Sequence, residues 1–157
     1  MLQSRLDSYF LEANRHIELM QDAFKAIGRV LPINSYDELG DLEKFAINAL
    51  IFRFSKLQDL LGAKIFRSYL EFSGFNVGGI SFFDILKELE KEGVVDIDNW
   101  SEFRVLRNRV AHDYPQDEEE IVQSIELILK KSKELIMISR KLEDKFNEIK
   151  LKRERDN

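Results

Sequence analysis

Apolar residues recur at spacings of three and four from the start of the chain: Leu2, Leu6, Tyr9, Phe10, Ala13, Ile17, Met20, Phe24 and Ile27. That period predicts one long amphipathic helix, ended near Gly28. Pro32 and the stretch Ser35-Tyr36-Asp37-Glu38 then read as a connector, with Ser35 and Glu38 spaced as a capping box for a second helix from about Asp37 to Phe72. Within it, Phe45 to Phe54 (FAINALIFRF) is apolar except at Asn48 and Arg53. A helix apolar nearly all round is covered on more than one side, either at the centre of a bundle or against a second subunit. The run GFNVGG from Gly74 to Gly79 predicts a loop, Ser81 a cap, and FFDILKELEKE a short helix stopped at Gly93. Asp96 or Asp98 caps the next helix, which finishes by Tyr114 because Pro115 disfavours helical geometry in the residue before it.

The carboxylates of Asp117 to Glu120 suit the first turn of a last helix, where the macrodipole favours negative charge. Ile121, Ile125, Ile128, Leu135, Ile138, Leu142, Phe146 and Ile149 continue its apolar face. The pattern therefore predicts an all-α protein, an antiparallel bundle of four main helices plus a short one. A single domain spans residues 1–149, and a charged tail, 150–157, is expected to fray.

Composition narrows the function. A length of 157 residues suits one core and leaves little room for a second domain. No apolar run reaches the roughly 18 residues of a membrane span, and the charged start MLQSRLDSYF argues against a secretory leader, so a cytoplasmic location is expected. The absence of cysteine removes disulfides, thiolate nucleophiles and cysteine-rich zinc sites, and His16 and His112 are too few for a histidine-rich metal site. With a net charge of −5, any contact with nucleic acid has to be local.

The chemistry concentrates in Trp100 to Pro115, WSEFRVLRNRVAHDYP. On a helix turning about 100° per residue, Phe103, Leu106 and Val110 form the core stripe, and Val105, Asn108 and His112 share roughly the opposite face. Such an uncharged face in so charged a chain points to a covering partner. Arg107 lies about 140° from His112 on the same wheel, so the two meet only if the guanidinium reaches round or two copies of the helix face each other. A histidine and an arginine together suit RNA phosphodiester cleavage. The imidazole moves a proton at the ribose 2′-hydroxyl or the leaving oxygen, while the guanidinium forks onto the phosphate oxygens. The residues alone leave blander roles open: His112 as a helix-end residue, Arg107 in a rim salt bridge, Arg109 paired with Asp113, and Tyr114 as a half-buried aromatic. His16 reads as a surface or boundary residue without a role.

The run Arg107-Asn108-Arg109-Val110-Ala111-His112-Asp113-Tyr114 resembles the hallmark of HEPN-domain proteins, an arginine followed after four to six residues by a histidine. Its histidine-any-tyrosine ending resembles HepT toxins, and RFSKLQDLLGAKIF from Arg53 to Phe66 resembles their second helix. The resemblance implies a homodimer whose two motifs form a composite, metal-independent ribonuclease site without a cofactor. It makes His112 the general acid or base, Arg107 the phosphate-binding residue, and Asn108 a supporting residue that orients the imidazole or the phosphate. It also implies a partner, an MntA-like minimal nucleotidyltransferase antitoxin, that transfers AMP to Tyr114. The alternative is a non-catalytic module that associates with such a nucleotidyltransferase or presents substrate to it.

Overall fold

A computed structural model describes residues 1–112 and 117–157, with only the backbone described at 111 and 112. Every element among the described residues is a helix, with no strand among them. The helices are α1 (Leu2–Gly28), α2 (Asp41–Leu60), α3 (Phe66–Phe72), α4 (Phe82–Lys91), α5 (Ile97–His112) and α6 (Glu118–Arg155). A π-helical turn, Leu61–Ile65, joins α2 to α3 without leaving helical dihedrals. Hence the predicted second helix is one rod with a local widening, where the Phe66 N–H donates to the Leu61 carbonyl five residues back.

Several helix ends follow the sequence signals. The Ser81 hydroxyl accepts the Asp84 N–H at 3.1 Å, and Gly93 takes φ +72 just past α4, a conformation that suits glycine. Asp96 rather than Asp98 caps α5, accepting the Asn99 N–H at 3.0 Å. Asp117 caps α6, with Glu118 to Glu120 in its first turn.

Two expectations require correction. The second helix begins at Asp41 behind an N-cap at Gly40, not at Asp37, and no Ser35/Glu38 capping box forms. Instead the Ser35 hydroxyl donates to the Glu118 carboxylate, tying the connector to the first turn of α6. The tail also does not fray, since α6 continues to Arg155. Lys150 pairs with Asp7 of α1 at 2.9 Å, and Arg153 lies over the Phe72 ring while donating to the Phe72 carbonyl. Residues from 151 onward are exposed, as expected of a solvated stretch.

One hydrophobic core draws on every helix. Its aromatic spine runs from Phe54 through Phe103 and Trp100 to Phe66, with the Trp100 and Phe66 ring centroids 4.7 Å apart. A second aromatic cluster joins Phe10, Phe146 and Phe72 across α1, α6 and α3. The predicted core stripe of α5 is confirmed at Phe103 and Leu106, both buried, with Val110 half-buried at its end. The all-round apolar segment of α2 behaves differently. Ile47, Leu50 and Phe54 enter the core, while Phe45, Ala49 and Phe52 remain exposed, Phe45 at 69%, as does Leu42 just before the segment. Among the described residues no helix is long and apolar enough to cross a membrane.

Candidate functional site

Arg107 stands on the edge of α5 that meets α2. Its position is set by Phe103 and Leu106 beside it, which anchor that turn in the core. The guanidinium Nη2 donates to Asp59 Oδ2 at 2.9 Å, and Nη1 approaches Asn108 Oδ1 at 3.4 Å. Its Nε is buried and has no partner among the described residues. The two side chains of the ion pair are 35% and 49% exposed, so the pair adds little stability and acts mainly to fix the plane of the guanidinium. A fork held in place by one carboxylate, with further N–H groups left over, suits a phosphate oxygen.

Asp59 carries no motif signature, and the sequence reading missed it. It lies inside RFSKLQDLLGAKIF, one residue before the helix ends in Leu60, but its partner is 48 positions away. The only available signal is its register: Leu42, Phe45, Ala49, Phe52, Lys56 and Asp59 follow one another at alternating spacings of three and four, one row along the helix. The exposed apolar row of α2 thus runs directly into the Arg107 pair.

On α5, Val105 is 68% exposed and Asn108 is also exposed, as expected for the uncharged face. Position 112 follows in the same helical register and ends the helix. The His112 side chain, Asp113 and Tyr114 lie outside the described residues, so the structure does not test the placement of His112 against Arg107, the Arg109–Asp113 pair or the modification tyrosine.

The cations divide into two groups. Arg104 and Arg109 are exposed on α5 on either side of Val105. Lys131 is committed elsewhere: its ammonium bonds Asn99 and Glu102 at 2.5 Å and Glu134 at 3.2 Å. Burial acts against its charge, but the two carboxylates outweigh burial and raise its pKa above the usual lysine value.

Two clefts flank this stretch of α5. One, of about 450 Å³, lies against α6 between Val105, Leu106, Arg109, Leu127 and Lys131. The other, of about 310 Å³, lies at the π turn and is lined by Gln58, Asp59, Gly62, Phe82, Trp100 and Arg104.

His16 is a correction to the sequence reading, because it is buried rather than at the surface. Its Nδ1 accepts from Arg53 at 3.1 Å, since a guanidinium can only donate. Burial, and then the Arg53 charge, lower its pKa, while Glu12 opposes the shift. Comparison of the chain with family models, with curated proteins and with solved structures found no match.

Proposed function

We propose that this chain is the toxin ribonuclease of a toxin–antitoxin system, acting in the cytoplasm as a homodimeric antiparallel helical bundle. Its RNA-cleaving site is composite, with Arg107 and His112 contributed across two copies, no metal required, and Asn108 in support. The observation that carries this reading is the unpartnered row of α2 leading into Arg107. Leu42, Phe45, Ala49 and Phe52 are exposed at coiled-coil spacing and end at the carboxylate that holds the guanidinium. A second copy covering that row brings a second Arg107 and His112 to the same seam. This gives a physical reason for two residues that lie on different faces of one helix. His112 then moves the proton of the 2′-hydroxyl, and Arg107 stabilises charge developing on the phosphate.

Regulation follows from the resemblance of the motif. An MntA-like minimal nucleotidyltransferase antitoxin adenylylates Tyr114, and phosphate charge with adenine bulk two residues from His112 then competes with RNA. Co-expression with such a partner is expected to add the mass of AMP to each chain, and Tyr114→Phe to abolish the addition.

The enzymatic claim is tested with unmodified protein and single-stranded RNA in EDTA. Wild type is expected to leave 2′,3′-cyclic phosphate ends, and His112→Ala or Arg107→Ala to leave the RNA intact. One observation favours the alternative of a non-catalytic binding module: Asp59 already neutralises Arg107, and an arginine so occupied can serve a docking surface. Intact RNA with every protein, together with a stable complex with the nucleotidyltransferase, is the outcome expected of that module.

A further inference from the structure

We propose that two copies of this chain pair their α2 helices antiparallel about a two-fold axis at Ala49, and that this axis gathers the ends of both α5 helices on one side of the pair. The inference rests on the composite site proposed above and says how that site is assembled. The exposed row of α2 is symmetric about Ala49. Phe45 lies four residues before it and Phe52 three after, while Leu42 and Lys56 each lie seven away. All five are exposed. A two-fold interface is one patch meeting its own copy, residue i against j and j against i. In the antiparallel pairing Ala49 meets Ala49, Phe45 meets Phe52, and Leu42 meets the aliphatic stem of Lys56. The small Ala49 lets the two helix axes approach at the centre, and an aromatic pair closes the contact on either side of it.

Charge sets the direction. A parallel pairing would put Lys56 against Lys56 and Asp59 against Asp59, like charges at the end of one seam. The antiparallel pairing instead brings Lys56, whose ammonium lies 5.5 Å from the Phe52 ring centroid, to the exposed Asp41 in the first turn of the other α2. The placement of α5 gives the axis its consequence. α5 runs antiparallel to α2, with Trp100 at Gly62 and, a turn further on, Phe103 at Phe54 and Arg104 beside Gln58. Carried on to position 112, where α5 ends, that register comes level with Ala49 to within about one turn. Because Asp59 at the end of the row holds Arg107, α5 flanks the row on one side. A two-fold perpendicular to the paired α2 helices returns the second α5 to that same side. The two positions 112 therefore converge at the axis, between the two Arg107–Asp59 pairs.

The chain has no cysteine, so introduced thiols report the axis without background. Ala49→Cys, Leu42→Cys and Lys56→Cys are made in the full chain at exposed positions, which leaves the core intact. Under mild oxidation Ala49→Cys is expected to shift from monomer to dimer mass on a non-reducing gel, and to return on reduction. With a short bismaleimide, Leu42→Cys and Lys56→Cys should each stay monomeric alone, since like positions then lie roughly 21 Å apart along the pair. Refolded together, the two should link to each other. Self-linking of Leu42→Cys or Lys56→Cys, an unlinked mixture, or an unlinked Ala49→Cys overturns the axis. Linking requires neither His112 nor RNA. The expected pattern in a chain that cuts no RNA would sink the nuclease and spare the axis, whereas RNA cleavage by a chain whose Leu42→Cys variant links to itself would do the reverse.

Discussion

At the scale of the residue, the pairing of Arg107 with Asp59 decides what the arginine can do. A planar fork bonded on one side at 2.9 Å presents its remaining N–H groups in a fixed direction, whereas an ammonium is a point charge without a plane. Arg107→Lys is therefore expected to keep the fold but lower kcat/KM for RNA cleavage by about two orders of magnitude, measured with a fluorogenic oligonucleotide. Arg107 was legible from its spacing to His112, while Asp59 was not. Sequence displays residues that share a helix, and Asp59 meets Arg107 only through the packing of α2 on α5. His16 was misread for a related reason. Flanked by Arg15 and Ile17 it looks like a boundary residue, but it is buried, with Arg53 of α2 bonded to its ring.

The His16 pKa is lowered in the folded protein by burial and by Arg53, so below its usual value near 6.5 the unfolded chain binds more protons. Stability is fully present above that value and is lost as pH falls through it, by at most about 1.4 kcal/mol per pH unit. Urea titrations at successive pH values should show this slope in the wild type and a flatter one in His16→Gln. Equal slopes would remove His16 from the account.

At the scale of the element, the ends signalled by residues with one available role appeared where the sequence put them: Ser81 at the start of α4, Gly93 after it, and Asp117 at the start of α6. Where a residue had a competing partner, the local reading failed. Ser35 has the spacing of a capping box, yet its hydroxyl bonds Glu118, and α2 starts behind Gly40 instead. The π turn at Leu61–Ile65 was invisible because the apolar residues Leu60, Leu61, Ile65 and Phe66 fit an uninterrupted helix equally well. The C-terminal end of α6 looked too charged to order, but two of its cations have fixed partners, Lys150 on Asp7 and Arg153 on Phe72. Deleting residues 150–157 should cost about 1–2 kcal/mol, read as a fall in Tm, because it removes a partly exposed ion pair and a cation–π contact. An unchanged Tm would mean that these contacts do not hold the tail.

At the scale of the whole molecule, the exposed row Leu42, Phe45, Ala49 and Phe52 and the exposed Val105 are apolar surfaces that a single chain leaves uncovered. The all-α class was readable because the three-and-four spacing persists along nearly the whole chain. The choice between a central helix and a shared one was not, since a pattern apolar all round is the same in both cases. Among the described residues that face of α2 is open, as the proposed dimer requires. Phe45→Glu together with Phe52→Glu places two charges on the row without touching the core, and is expected to turn a dimer into a folded monomer by analytical ultracentrifugation. It should abolish cleavage with it.

The composite site across two copies is tested most directly by mixing two inactive proteins. Arg107→Ala and His112→Ala, each without activity alone, are denatured together and refolded so that mixed dimers form, then given single-stranded RNA in EDTA. One seam of the mixed dimer joins an intact Arg107 from one chain to an intact His112 from the other, so cleavage should return with 2′,3′-cyclic phosphate ends. Active refolded wild type alongside an inactive mixture would contradict a site shared between two chains.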